Sequence, residues 1–348
     1  MFHIKVGNIH AEMVKKALLK SGLLDRGSLA QNIDGFTYFP VLGIGSKNIK
    51  NLLKSYDAEL VDITAKKADK FEYYVLLKEA LGINADKIGI GYDKLGNIAV
   101  VEPRNTERKK VVALARCIIK ANPGIETVLA KAGPVYGEYR KRRLSYVYGR
   151  RTFIATYKEN GCMFRFDTRR TFFSTRLAYE RKRISDSVKK KENIVVMFAG
   201  FGPFAIEIAK AHKDCSIVGI ELNRYAYTQM VKNIDMNKTY NVTAVLGDVK
   251  EKAVKYKNFA DRVIMPLPKD STGFLDQALA VARDKCVVHF YSFVSIDGGK
   301  EKLMNLIRKH AKDNLYNVKF LLTRSVRPYS KEEEEIVLDY RIRFAQKK

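Results

Sequence analysis

The stretch "IVVMFAGFGPFAIEIAK" spans residues 194–210. An apolar run of strand character meets Ala199-Gly200-Phe201-Gly202-Pro203, and a helical pattern follows. Two glycines at that junction let the backbone bend and let a ligand approach it closely. Pro203 suits the first turn of a helix, where its missing N–H costs nothing. Gly-x-Gly-x-x-Ala, closing at Ala205, is also a dinucleotide fingerprint. The loop therefore predicts an adenosine ligand and leaves its kind open.

The neighbouring strands extend that site. "SIVGIEL" (216–222) contains Glu221 at its end, 21 residues beyond Gly200. A carboxylate there accepts hydrogen bonds from both ribose hydroxyls of an adenosine. "NVTAVLGD" (241–248) ends at Gly247-Asp248, where an acid reaches an adenine edge. From about residue 190 strands and helices alternate, which predicts an α/β domain with a parallel sheet covered on both faces. The last stretch, 318–344, breaks the alternation and reads as an antiparallel closing pair with a charged connection.

NAD and S-adenosylmethionine both fit the first three strand ends. The fourth, "ADRVIMPLPKDS" (260–271), separates them. Pro266-Leu267-Pro268 forces a stiff, extended exit whose backbone carbonyls are free to accept from a flat base. That exit and the closing pair fit a methyltransferase better than a nicotinamide oxidoreductase, the alternative from another class. A non-catalytic RNA-binding protein is a third.

Upstream, residues 1–65 predict a small α+β unit, with strands at "FHIKV", "GFTYFPVLG" and "AELVDI". Its first helix sets Met13, Ala17, Leu18 and Leu19 near one face, and Pro40 marks a strand edge or end. "TAKKADK" (64–70) reads as a linker. Residues 70–150 predict a second α+β unit. It has helices at 71–82 and 106–121, a hairpin turning near Gly96-Asn97 and a strand at 126–131. Residues 151–348 form the third and largest domain, opening on a hairpin that turns at Glu159-Asn160-Gly161.

Net charge is +26, with 64 Lys+Arg against 38 Asp+Glu. Such an excess predicts a polyanionic partner. Residues 136–152 concentrate it: Arg140, Lys141, Arg142, Arg143, Arg150 and Arg151 interleave with Tyr136, Tyr139, Tyr146 and Tyr148. Guanidinium forks grip phosphates and phenol rings stack on bases; a strand with a solvated basic face is the plainer reading. The four cysteines are far apart and read as buried thiols, and no ligand spacing supports a metal. No apolar run spans a bilayer and no leader pattern opens the chain, so a cytoplasmic protein is expected. A monomer is expected too, since no heptad or apolar strip suggests a partner face.

"MFAGFGPFAIEIAK", "IELNRYAYTQMVKNIDMN", "LGDVKE", "DRVIMPLPK" and "VVHFYSF", in this order, resemble the archaeal and eukaryotic tRNA (guanine-37) N1-methyltransferases. "YGEYRKRRL", "YKENGCMFRFD" and "FFSTRLAYERKRI" resemble the segment leading into that family's catalytic domain, and "HAEMVKKALLKSGLLDRG…GFTYFPV" is similar to its small tRNA-elbow-reading domain. The resemblance implies a class I Rossmann-like methyltransferase domain preceded by two small α+β domains. It implies S-adenosylmethionine as cofactor, tRNA as partner, and methyl transfer to N1 of the guanosine just 3′ of the anticodon.

The resemblance also implies roles. Glu180 is the general base on N1–H and Arg140 supports the transition state. Phe198, Ala199, Gly200, Gly202, Glu221, Leu222, Asp248, Val249 and Pro266 hold the cofactor. Arg140, Arg142, Arg143, Arg151, Arg176 and Arg181 hold RNA, with Pro266, Leu267 and Pro268 at the target base. The chemistry agrees: guanine N1 carries a proton at neutral pH, and charge builds on O6 as that proton leaves. On its residues alone, Glu180 reads as a helix-surface ion pair with Arg176, Lys182 or Arg183. Two positions depart from the family pattern: Val196 stands where an acid is frequent, and Pro266 where Asn is common. The second opens C7 methylation of the wyosine precursor 4-demethylwyosine as a further activity.

Overall fold

A computed structural model describes residues 2–8, 10–25, 30–33, 35–42, 47–63, 91–103, 106–133, 137 and 142–344. The predicted linker at 64–70 and helix at 71–82 lie outside these, as do Tyr136, Tyr139, Arg140 and Lys141. The chain divides into two compact units. One comprises Met1–Gly91, Pro103–Glu126 and Val147–Gly149; the other comprises Tyr92–Glu102, Thr127–Tyr146 and Arg150–Lys348.

In the first unit, β1 (Phe2–Gly7), β2 (Gln31–Ile33), β3 (Phe36–Pro40) and β4 (Glu59–Asp62) form a sheet in the order β2-β3-β1-β4. Pro40 closes β3, which is paired on both sides, so it marks an end rather than an edge. Helices α1 (Ala11–Lys20) and α2 (Lys47–Ser55) complete a core of Ile4, Val6, Val14, Leu18, Phe39 and Ile49. The predicted inner face of α1 needs correction. Val14 and Leu18 are buried, whereas Met13 is 56% exposed and Leu19 38%. The one-turn pair i, i+4 meets the sheet, and residues one step to either side of it rotate outward. Helix α3 (Arg108–Ala121) buries Val111, Leu114 and Ile118 and keeps Arg108, Lys109 and Lys110 exposed.

In the second unit, β5 (Tyr92–Leu95) and β6 (Ile98–Val101) form the predicted hairpin, and the sheet continues through β7 (Thr127–Lys131) to β8 (Leu144–Gly149), of which residues 144–146 belong to this unit. Its turn abuts a second hairpin, β9 (Ile154–Glu159) with β10 (Cys162–Asp167). Gly96 has φ +63, and a Cβ on it would lie 1.8 Å from the Thr156 carbonyl oxygen. Only glycine permits that approach. The second hairpin turns at Asn160-Gly161, both at positive φ, as the paired requirement of a tight hairpin turn predicts.

The main sheet has seven strands: β11 (Asn193–Met197), β12 (Ser216–Glu221), β13 (Val242–Leu246), β14 (Ala260–Met265), β15 (Ala282–Ser295), β16 (Tyr316–Pro328) and β17 (Glu333–Phe344). Their order is β13-β12-β11-β14-β15-β17-β16. The first five are parallel, and β17 and β16 close the sheet antiparallel, as the broken alternation predicts. Strand β11 is buried on both faces: Ile194 and Val196 enter one apolar cluster, Val195 and Met197 another. Helices α5 (Pro203–Ala211) and α6 (Arg224–Asn237) cover the first face. Helices α8 (Leu275–Val281) and α9 (Gly299–Asp313) cover the second. Among the described residues, the remaining α-helices are α4 (Ala178–Ser187) and the single turn α7 (Val249–Lys252). All four cysteines are free and buried. No helix among the described residues is long and apolar enough to cross a membrane.

Candidate active site

The carboxyl ends of β11, β12, β13 and β14 form one rim, since these strands are parallel and neighbouring. After β11 the chain takes three left-handed residues: Phe198 at φ +57, Gly200 at +61 and Gly202 at +91. Gly202 caps α5, with Pro203 in the first turn as predicted. A Cβ on Gly202 would lie 2.8 Å from Ile206 Cδ1 and 2.9 Å from Met230 Cγ, so this glycine serves helix packing. A Cβ on Gly200 would meet nothing within 4 Å, so that side of the loop is open.

Glu221 locks the loop from the next strand. Its Oε2 accepts the Gly200 N–H at 2.7 Å and its Oε1 the Asn223 N–H at 2.7 Å. Burial pushes its carboxyl up, and the backbone N–H groups only partly offset that. Each oxygen keeps a lone pair for a further donor. Asp248 caps α7 by accepting the Lys250 N–H at 2.8 Å. Phe198 and Phe274 meet edge to face at 4.7 Å, with Lys250 Nζ 5.4 Å from the Phe274 ring. Ala199 and Val249 are buried, and Leu222 is 37% exposed. After β14, Pro266-Leu267-Pro268 is stapled to β15: the Phe293 N–H donates to the Pro268 carbonyl at 3.0 Å. The hydroxyl of Ser271 donates to the Tyr291 carbonyl at 2.9 Å.

Tyr291 leads to the second half of the site. Its hydroxyl donates to Glu180 Oε2 at 2.9 Å. Arg183 donates to the same oxygen through Nε at 3.0 Å and Nη2 at 2.9 Å. Arg324, from β16, donates to Glu180 Oε1 at 2.8 Å. Glu180 is 1% exposed. Behind it, Arg183 binds Asp339 at 2.6 Å, and Asp339 holds His289 Nδ1 at 2.7 Å. Burial lowers His289, with Asp339 opposing that shift, so the imidazole stays neutral and orients the carboxylate. Burial alone would raise Asp339; His289 and Arg183 outweigh it and hold its carboxyl low.

The rim is that of an adenosine-binding doubly wound sheet, and the comparisons with known proteins agree. The TRM5/TYW2 methyltransferase domain matches residues 155–319, and the TYW2 N-terminal domain matches residues 76–152. The tRNA (guanine(37)-N(1))-methyltransferase Trm5b of Pyrococcus abyssi is 29% identical over 344 residues, covering 98% of this chain and 99% of its own. The tRNA (guanine(37)-N(1))/4-demethylwyosine(37)-methyltransferase Taw22 of Nanoarchaeum equitans is 30% identical, covering 63% and 89%. The chain belongs to the TRM5/TYW2 methyltransferase family. Among solved structures, a complex of aTrm5 with tRNALeu superposes with TM-score 0.67 at 27% identity, covering 98% of this chain and 99% of that one. Methanocaldococcus jannaschii TYW2 in complex with AdoMet superposes with TM-score 0.59 at 26% identity, covering 73% and 100%.

For a TRM5/TYW2 methyltransferase, the predicted residues fall unevenly. Phe198 to Gly202, Glu221, Asp248 and Pro266 lie along the single rim, and Glu180 stands one strand further on, through Tyr291. Arg140 lies outside the described residues. Arg143 and Arg151 are exposed, and Arg176 is 64% exposed beside Asp93. Arg142 is half-buried, its Nη2 donating to the Phe173 carbonyl at 2.7 Å. Arg181 needs correction as an RNA contact: it is 1% exposed, paired with Glu159, and bonded to the Ser174 carbonyl at 3.3 Å. A guanidinium sealed in that way is unavailable to phosphate. Val196 is fully buried in an apolar cluster, so no side chain there reaches the cofactor.

Sequence reasoning named Arg183 only as an ion-pair partner of Glu180, and it missed Tyr291, Arg324, Asp339 and His289. Those four come from three strands that follow Glu180 by more than 100 residues, with no local signal. It also missed Asn233 and Asn237 on α6. Their amides pair with the backbone of Arg165 and Met163 on the free edge of β10, docking the hairpin onto the catalytic sheet. The spacing Asn-x-x-x-Asn on one helix face was their only sequence signature.

Proposed function

We propose that this methyltransferase moves a methyl group from S-adenosylmethionine to N1 of guanosine 37 in tRNA, with Glu180 as the general base. The single observation behind this is the geometry that links a buried carboxylate to the cofactor rim through Tyr291 and the Pro266–Pro268 loop. The rim residues fit the cofactor. Glu221 offers two oriented oxygens to a ribose diol, and the open side of Gly200 admits a close backbone approach. When bound, S-adenosylmethionine supplies a methyl carried on a cationic sulfur. The protein's residues do the rest. Glu221, Asp248 and the glycine loop hold the nucleoside, and the Pro266 and Leu267 carbonyls face the target base, that of Pro268 being taken by the Phe293 N–H. Glu180 takes the N1 proton as N1 becomes nucleophilic. Positioning of the two reactants supplies much of the rate. Arg140 supports the charge that gathers on O6, and Arg142, Arg143, Arg151 and Arg176 grip the phosphates.

The names of the curated relatives, which act on position 37 of tRNA, support this substrate. Residues 1–65 in this reading contact the tRNA elbow, residues 70–150 bind RNA, and residues 151–348 hold the catalytic machinery. The acting species is a monomer in the cytoplasm; light scattering of the tRNA complex checks its stoichiometry. The test of the activity is incubation of a guanosine-37 tRNA transcript with labelled S-adenosylmethionine, followed by nucleoside mapping. Label in 1-methylguanosine at position 37 is expected, and label at any other base overturns the assignment. A second reading rests on Pro266, which replaces an amide with a ring at the base-holding turn, and on the dual name of the Taw22 relative. The same assay on tRNA carrying 4-demethylwyosine decides whether C7 is methylated too.

A further inference from the structure

Glu180 receives four hydrogen bonds, and they are unequal. Three end on Oε2, from Arg183 and Tyr291. Of these donors, Tyr291 is fully buried, and the Arg183 side chain is 18% exposed, is anchored by Asp339 and lines a pocket with Asp339 and His289. Oε1 has one donor, Arg324 Nη1, whose side chain is 35% exposed. The Arg324 guanidinium lies 4.2 Å from the ring centre of Tyr179, which is 62% exposed. The Arg324 and Tyr179 side is the more exposed of the two, and a substrate that arrives there meets Oε1.

On that side the pair offers an acceptor, Oε1, next to a donor, the guanidinium, 2.8 Å apart. Guanine presents the complement on adjacent atoms: N1–H donates and O6 accepts. Adenine presents the reverse, an acceptor at N1 beside a donor at N6. We propose that Glu180 and Arg324 together read the N1–H/O6 edge of the target guanine, with Arg324 as a second donor to O6 in addition to Arg140. The proposal rests on Glu180 being the base. In the step itself the N1–CH3 bond forms as the S–CH3 bond breaks, and the sulfur keeps that electron pair. The N1 proton goes to Oε1, and Arg324 holds the O6 oxygen while charge accumulates there. Arg183 and Tyr291 keep Oε2 fixed, so Oε1 alone changes partners. Asp339 and His289 face Arg183 from the strands behind and do not touch the substrate side.

The test uses the full chain, a guanosine-37 tRNA transcript and labelled S-adenosylmethionine, with the variants Arg324→Ala and Arg324→Lys. Loss of a donor to a developing oxyanion costs about 10²–10³ in kcat. Arg324→Ala is expected to lose that much, with KM for tRNA changed only a few-fold. Arg324→Lys, which keeps a cation on a flexible stem, is expected to recover part of kcat and to serve where the alanine variant unfolds. S-adenosylhomocysteine binding by calorimetry is expected to match the wild type in both. An unchanged kcat or a loss confined to KM overturns the role of Arg324. Glu180→Gln separates the two levels: if it is fully active the base reading fails, whereas an inactive Glu180→Gln beside an active Arg324→Ala sinks only the edge-reading pair.

Discussion

Glu180 and Glu207 are both buried in the second unit, 1% and 3% exposed, and both lie beside arginines. Around Glu180, two guanidiniums and a phenol serve one carboxylate. Around Glu207, one guanidinium serves two: Arg181 pairs with Glu159 and lies 3.3 Å from Glu207 Oε1. Burial, and then Glu159, push the Glu207 carboxyl up to about 9. Glu159 is held low, because Arg181 and its other donors outweigh its burial. Glu207 therefore keeps its proton at neutral pH. Oε1 has no donor aimed at it, and a proton there supplies the missing bond toward Glu159. The two sites differ in cations per carboxylate and in access. The Glu207 cluster is closed by Arg181, Asn160 and Tyr157 within the hairpin–helix core. The Glu180 cluster has one half-exposed partner on its solvent side. Equal burial of the same residue type thus gives a structural acid in one place and a candidate base in the other.

The largest effect that sharpens this contrast is on catalysis. Glu180→Gln is expected to lower methyl transfer about 10²–10⁴-fold, measured in single turnover with saturating tRNA, while Glu207→Gln retains it. The opposite ranking would break the comparison outright. Next comes stability. Arg181→Met removes the cation from a buried pair of carboxylates and is expected to cost about 3–5 kcal/mol, read from urea unfolding. A cost below about 1 kcal/mol, the size of an exposed ion pair, would mean that the Glu159–Glu207 pair needs no cation.

A smaller effect depends on pH. Glu207 is raised from 4.5 to about 9, so between those values the folded state holds a proton that the unfolded state has released. Its contribution to stability is complete below about 4.5 and is lost as pH rises through about 9. The depressed Glu159 acts in the opposite sense and only at acid pH. Glu207→Gln, which is neutral throughout, is expected to flatten the alkaline decline by on the order of 1 kcal/mol per pH unit. Parallel unfolding curves for wild type and variant from pH 6 to 9 would show that Glu207 is ionised after all. The smallest effect is at the rim. Gly202→Ala forces a left-handed alanine against Ile206 and Met230 and is expected to cost about 1–3 kcal/mol. Gly200→Ala also forces a left-handed alanine but meets no side chain, so it is expected to destabilise less than Gly202→Ala and to weaken cofactor binding. Equal thermal shifts for both would erase that division of labour.

Much of the catalytic half was legible because its signals are local. The turn after β11, the acid ending β12, the prolines after β14 and the Asn160-Gly161 turn each depend on backbone geometry within a few residues. Three errors or gaps share another cause. The inner face of α1 shifted by one residue, because helical pattern alone sets a face only to within a residue's rotation. Arg181 was taken for a surface cation, because its charge is written in the sequence and its burial against Glu159 and Glu207 is not. Glu180 was foreseen as a partner of Arg183, three residues away, but its contacts with Tyr291 and Arg324 span 111 and 144 residues.

By itself, the sequence determined the order of elements, the adenosine loop and the cationic character of the chain, since periodicity, turn chemistry and charge are properties of neighbouring residues. Only the tertiary structure decided which buried carboxylate is served by two guanidiniums and which must share one. Burial and the pairing of distant strands set the local dielectric and the number of donors, and those set what a glutamate can do.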